Sequence, residues 1–262
     1  MSRMLTLIHA GWVSARSLAR SGRRTAALAQ LRRLLSRPDL PVALAADANR
    51  LAAELLIETE DFAKARRHLR AALGLQPENA RSHYLAGLAF ERDPAGDDRR
   101  AAVRFKKASE AEPANPVYRA AFGRAAVRCD RVKLGVRELV AAADAAPDNI
   151  AVLRVVVDGL REAGKLRAAR RVLVKARFLC PRSAEVRRMW ERVRFETARA
   201  GQRNTKGTQD AQFATEGALF TLPFVRVVGS AAGGKATGWV RGDVISLPRP
   251  HLARLWSTNA ER

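Results

Sequence analysis

The chain has 262 residues, 47% of them hydrophobic, which excludes wholesale disorder and leaves room for one or two domains with a sizeable core. Lys and Arg number 48 against 26 Asp and Glu, a formal charge of +22; this invites an anionic partner, although Ala- and Arg-rich chains also arise from GC-rich genomes whatever they do. Cys129 and Cys180 stand 51 residues apart without CxxC spacing, and His9, His68, His83 and His251 are scattered, which excludes a disulfide framework and a metal site of ordinary spacing.

The first element is an apolar run, Met4 to Val13, followed by arginines. It is too short to span a membrane, and an amphipathic helix packed on its neighbour is expected there rather than a cleaved leader or an interfacial anchor. No other stretch approaches membrane length, so a cytoplasmic protein is expected. Residues 4–20 and 23–36 read as a helix pair around Ser21-Gly22, with Ala15, Leu18, Ala27, Leu31 and Leu34 on its inner faces, closed by a break from Pro38 to Pro41. This pair fills the segment 1–45.

Beyond it a period governs the chain. Pro77, Pro113, Pro147 and Pro181 are separated by 36, 34 and 34 residues, and two places after each comes an N-cap type, Asn79, Asn115, Asn149 and Ser183. The proline stops one helix, and the Asn or Ser oxygen accepts a free N–H at the start of the next. Between these marks the small and large residues recur in register. The unit 46–79 carries Ala52-Ala53, Leu56, Ala65, Leu69 and Ala72; the unit 80–115 carries Ala86-Gly87, Phe90, Ala101, Phe105 and Ala108. The unit 116–149 carries Phe122-Gly123, Ala126, Gly135, Leu139 and Ala142; the unit 150–183 carries Val156-Val157, Leu160, Ala169, Leu173 and Ala176. Small residues let two helices approach, large ones fill the wedge between them, and no pair can bury its apolar face alone, so the units must stack.

This register resembles the tetratricopeptide repeat, with four copies over 46–181. The resemblance implies an all-α, right-handed solenoid of stacked antiparallel helix pairs, with 1–45 as a degenerate N-terminal repeat. Two departures stand out: a turn lengthened by two residues at Asp93-Pro94-Ala95-Gly96-Asp97, and Val157 in place of a small residue, which predicts a slightly splayed fourth pair. A capping helix is expected over 184–200, where Val186, Met189, Trp190 and Val193 fall at helical spacing.

From Gly201 the composition changes, and 201–262 is expected to be a polar linker and a partly disordered tail, irregular or folded as a β-hairpin with strands at Phe220–Val228 and Gly238–Leu247. Within it Gly229, Gly234 and Lys235 approximate the GxxxxGK[ST] phosphate loop. Ala236 occupies the place of the magnesium-binding hydroxyl, and Gly238-Trp239-Val240 reads as extended chain rather than the helix that such a loop needs. A hairpin turn is the expected reading, and no cofactor is expected. No GxSxG, HExxH or Cys/His constellation occurs either, so a binding protein is expected rather than an enzyme.

In proteins of the resembled family the first helix of each pair lines the groove. Helical spacing puts Arg124 and Arg128 on one such face, Arg154 and Arg161 on the next, and Arg188 and Arg192 on the capping helix. Asp158 and Glu162 interrupt this stripe, and earlier units contribute Arg50, Glu54, Arg81, Tyr84 and Leu88. Charge concentrates at the ends: 8 basic and 1 acidic residue in 1–45, net +7; 18 and 16 in 46–149, net +2; 14 and 5 in 150–201, net +9. The partner expected is a protein or peptide, acidic in character, held by arginine forks. The alternative is an anionic polymer, RNA, DNA or a membrane surface, gripped by the basic ends. The family's carboxylate clamp for chaperone tails is disfavoured, because its places hold Arg50, Glu54, Leu85, Val117 and Ala121, of which only the first is suitable.

Overall fold

Each punctuation mark read from the sequence closes one helix and opens another. A computed structural model describes residues 2–216, 225–231 and 234–240, with side chains from 6 to 200. The chain divides into two units, Met1–Arg199 and Ala200–Arg262. The first opens with α1 (Ser2–Arg20) and α2 (Arg24–Leu35), followed by α3 (Val42–Glu58) with α4 (Phe62–Leu75) and α5 (Ala80–Glu91) with α6 (Asp98–Ala111). Next come α7 (Pro116–Arg128) with α8 (Val132–Ala145) and α9 (Ile150–Glu162) with α10 (Leu166–Leu179). The last described helix is α11 (Ala184–Glu216), and two strands, β1 (Val225–Ala231) and β2 (Gly234–Val240), belong to the second unit.

The caps act as their residue types demand. Asn79 Oδ1 accepts from Ser82 N at 2.9 Å, Asn115 Oδ1 from Val117 N at 3.1 Å, Asn149 Oδ1 from Ala151 N at 3.1 Å, and Ser183 Oγ from Val186 N at 3.3 Å. The turn inside a pair follows a second rule. At Gly22, Glu60, Asp130 and Gly164 the backbone enters the left-handed region, with φ of 74°, 60°, 61° and 67°. In each case the next N–H reaches back five residues, as in Asp61 N to Leu56 O at 2.9 Å and Lys165 N to Leu160 O at 2.8 Å, which satisfies helix-end carbonyls. Glycine adopts this conformation freely, whereas Glu60 and Asp130 adopt it against their Cβ atoms.

Packing follows the small-residue register. A Cβ added at Gly123 would lie 3.0 Å from the Gly135 carbonyl oxygen, and one added at Gly135 would lie 2.6 Å from the Gly123 oxygen, so α7 and α8 touch backbone to backbone. At Gly87 the Phe105 ring fills the space instead, at 2.5 Å from the Cβ position, and Phe105 is wholly buried. Val157 in the fourth pair is buried with a full side chain, and α9 and α10 stand less closely together than α7 and α8, the splay expected there. Leu69, Leu139, Leu160 and Leu173 fill the wedges, and Val186, Met189 and Val193 of α11 cover the core of the last pair. Trp190 packs half-buried against that core, with the Arg170 and Arg177 guanidinium groups 5.6 and 4.6 Å from its ring. At the other end Ile8 and Ala15 bury α1 against α2 and α3.

Two expectations about the C-terminal segment change. The helix expected to end at residue 200 runs on through Glu216. Gly201 and Gly207 each cost about 1 kcal/mol inside a helix, but Gln202, Arg203, Lys206 and Ala211 are good helix formers and no proline follows until Pro223. The strands lie closer together than expected. Val225 pairs with Val240, Gly229 with Ala236, Ser230 with Lys235 and Ala231 with Gly234, leaving only residues 232 and 233 between them. The glycines that read as an extended turn are carried inside the strands, and the Gly-Lys stretch forms an antiparallel pair rather than a loop leading into a helix N-terminus. Residues 220–224 and 241–247, also expected in strands, lie outside the described residues.

Candidate functional site

Residues at helical spacing on α1, α3, α5, α7, α9 and α11 share one face of the first unit, and it divides into three zones. At the N-terminal end a recess of about 530 Å³ is lined by Trp12, Arg16 and Arg20 of α1, Asp47, Arg50 and Glu54 of α3, and Arg81 of α5. Arg50 donates from Nη2 to Asp47, while its Nη1 is buried with no hydrogen-bond partner. Among the described residues Arg16 and Arg20 have no carboxylate within ion-pair distance; Arg16 lies 5.7 Å from the Trp12 ring.

The middle zone is apolar. Ile57, Tyr84, Leu85, Leu88, Val117 and Tyr118 line a trough of about 470 Å³ with Glu58, Arg92 and Asn115 at its border, and Glu54 and Arg81 line both it and the first recess. The Tyr84 and Tyr118 rings lie 5.0 Å apart and Tyr84 touches Phe105 at 5.8 Å, which fixes both phenols to the core. Burial pushes both hydroxyls above the usual phenol range, so they stay neutral hydrogen-bonding groups at neutral pH.

The third zone holds the arginines expected to anchor an acidic peptide, and four of the six are paired. Arg124 Nη2 donates to Glu162 at 2.7 Å; Arg128 donates from Nε to Glu162 at 3.3 Å and from Nη1 to Glu91 at 3.0 Å. Arg154 Nε donates to Glu185 at 2.8 Å, and Arg161 donates to Glu196 at 2.9 Å and to Asp158 at 3.0 Å. With Arg81 donating to Glu54 at 2.7 Å, a ladder of arginine–carboxylate links joins the first helix of one unit to the first helix of the next. Burial raises the pKa of the Glu162 carboxyl, but the hydrogen bonds and charges of Arg124 and Arg128 overcome this and hold it below the ordinary glutamate value. Arg161 likewise holds Glu196 low through its hydrogen bonds. Arg188 and Arg192 are exposed and make no ion pair with any described side chain.

The places of the carboxylate clamp are unsuited for a further reason. Arg50 is engaged by Asp47, Glu54 by Arg81, and Leu85 and Ala121 are buried. Trp12, Arg16 and Arg20 were missed as groove residues. Their spacing of four residues on one helix is the signal that places them on a common face.

No protein-family model matches the chain, and no curated protein matches it. Solved structures do. TTC0263, a thermophilic TPR protein from Thermus thermophilus, is 15% identical, with 72% of this chain and 99% of that chain covered at a TM-score of 0.55. YrrB, described as a TPR protein with an unusual peptide-binding site, is 19% identical, with 66% and 86% covered at a TM-score of 0.51. MamA AMB-1 is 19% identical, with 68% and 94% covered at a TM-score of 0.51. The likeness is one of fold: the chain is built as a tetratricopeptide-repeat solenoid.

Proposed function

We propose that this chain is a non-enzymatic scaffold that captures an extended segment of a protein partner along the face formed by the first helices. The observation that carries the reading is the apolar trough around Tyr84, Leu88 and Tyr118, open to solvent and flanked on both sides by arginine-bearing zones. An apolar side chain of the partner supplies affinity in such a trough, and charge at its ends sets register. The acidic preference is assigned to cations that form no ion pair with a described carboxylate, Arg16 and Arg20 at one end and Arg188 and Arg192 at the other. Arg124, Arg128, Arg154 and Arg161 are already neutralised by the ladder and act on the partner's register rather than as free anchors. Cys129 and Cys180 are free thiols, in keeping with a reducing, cytoplasmic setting.

The test is selection of a displayed random-peptide library on the full chain. Enriched peptides are expected to pair an apolar residue with an acidic one, and Leu88→Ala with Tyr84→Ala is expected to weaken them by about 2–4 kcal/mol in total. Equal binding of the selected peptides to that variant, with its helical content intact, sinks the reading.

A further inference from the structure

The last helix pair carries a surface that the groove reading leaves unused. α10 bears five cations, Arg167, Arg170, Arg171, Lys175 and Arg177, and no acidic residue. Buried Ala169, Leu173 and Ala176 fix its inner face, so the stripe Arg167, Arg171, Val174, Lys175 and Phe178 looks outward. Phe178 is 85% exposed, and Val174 and Leu179 are exposed beside it at 55% and 46%. Three of the nine exposed large hydrophobic residues among those described thus fall within the last six residues of this helix.

The charges around them are largely uncompensated. Lys175 meets Asp144 of α8 at 3.0 Å, with both side chains more than half exposed, a pair that contributes little in water. Among the described residues Arg167 and Arg171 reach no carboxylate, and Arg170 and Arg177 lie on the Trp190 ring with no described carboxylate in ion-pair distance. The described carboxylates of α9 and α11 face other arginines: Asp158, Glu162, Glu185, Glu191 and Glu196 each have at least one.

We infer that the outer face of α10 docks on a bilayer surface that contains anionic lipid, with Phe178, Val174 and Leu179 entering the headgroup boundary and the arginines resting on lipid phosphates and carboxylates. Charge complementarity selects an anionic partner, and the aliphatic residues beside Phe178 select a bilayer over a nucleic acid. A phosphodiester chain satisfies the cations and can stack on the ring, but it leaves Val174 and Leu179 in water, whereas the acyl boundary takes all three. A helix of 14 residues is too short to cross a bilayer and lies in its plane. This docking uses none of the groove residues, so it stands or falls apart from the peptide reading.

The full chain is mixed with vesicles of phosphatidylcholine alone, vesicles of phosphatidylcholine with phosphatidylserine, and polyuridylate RNA. Sedimentation is expected only with the phosphatidylserine vesicles and is expected to weaken as salt rises. Each cation near such a surface is worth about fivefold in partition, so Arg167→Ala, Arg171→Ala and Lys175→Ala combined should reduce binding about 100-fold. Phe178→Ser should reduce it about tenfold, and Phe178→Leu should restore most of it. These side chains are exposed, so far-ultraviolet circular dichroism of the variants should match that of the parent chain. Absence of vesicle binding overturns the inference, as does vesicle binding indifferent to Phe178. RNA capture lost in the triple cation variant without vesicle binding assigns the cations to a polynucleotide instead. Self-association abolished by Phe178→Ser without vesicle binding assigns the face to a second copy.

Discussion

Replacing Gly135 by alanine tests whether the backbone contact between α7 and α8 holds the middle of the stack together. The new Cβ would lie 2.6 Å from both the Gly123 carbonyl oxygen and Val127 Cγ2. Ordinary contact begins about 0.8 Å further out, and a carbonyl oxygen inside a helix has no rotamer through which to withdraw. Relief therefore requires α7 and α8 to separate, which also loosens Leu139, wholly buried in the same wedge. Overpacking costs about 1–3 kcal/mol, and a backbone clash with no rotamer to relieve it falls in the upper part of that range, about 2–3 kcal/mol; alanine returns about 1 kcal/mol of helix propensity, so the net loss is about 1–2 kcal/mol. For a chain of this size that lowers the melting midpoint by about 2–8 °C, read by circular dichroism. Gly74→Ala is the control, because nothing lies within 4 Å of its Cβ position. It sits near the end of α4 and should raise the midpoint slightly through propensity alone. If Gly135→Ala melts at or above the parent midpoint while Gly74→Ala behaves as stated, close backbone approach is not what joins these helices.

Other perturbations probe the remaining features. Asn149→Ala removes the acceptor for two N–H groups of α9 and should cost about 1 kcal/mol in chemical denaturation. Glu60→Gly and Asp130→Gly relieve left-handed backbone strain and should each stabilise by about 0.5–1 kcal/mol, a gain absent if either is made in mid-helix. The folded pKa of Glu162 lies below its ordinary value of 4.5, so its stabilisation is complete above that pH and is lost as pH falls through the folded value. Glu162→Gln should lower stability at neutral pH by about 1 kcal/mol and narrow the loss on acidification. An unchanged acid transition in that variant removes Glu162 from the acid response.

The repeat architecture was legible because its determinants are local. Each proline with its following Asn or Ser fixes a boundary within a few residues, and the place of Gly87 recurs at Gly123, 36 residues on, as that of Ala101 recurs at Gly135, 34 residues on. Even the splay at Val157 could be read from one side chain. The extent of α11 was not legible, because Gly201 and the polar residues after it suit a linker and a helix almost equally, and a penalty of about 1 kcal/mol per glycine decides little. For the site, periodicity placed the arginines on the right face but was silent about their partners. Arg124 and Glu162 are 38 residues apart, and only the stacking of units brings them together. The turn at Glu60 was hidden for the opposite reason: the helix-end hydrogen bonds impose a conformation that glutamate does not advertise, and aspartate at Asp130 advertises it only weakly.

The arginine–carboxylate ladder gives the units an order as well as a shape. Glu91 of the second unit meets Arg128 of the third, and the fourth unit carries Glu162 in the place equivalent to Arg128. Were the third and fourth units exchanged, Glu91 would face Glu162, carboxylate against carboxylate. Helix pairs that share one backbone design are thus not interchangeable parts. Exchanging these two would leave the caps and the Gly123–Gly135 contact within its own pair intact and still set like charges against each other at the seam.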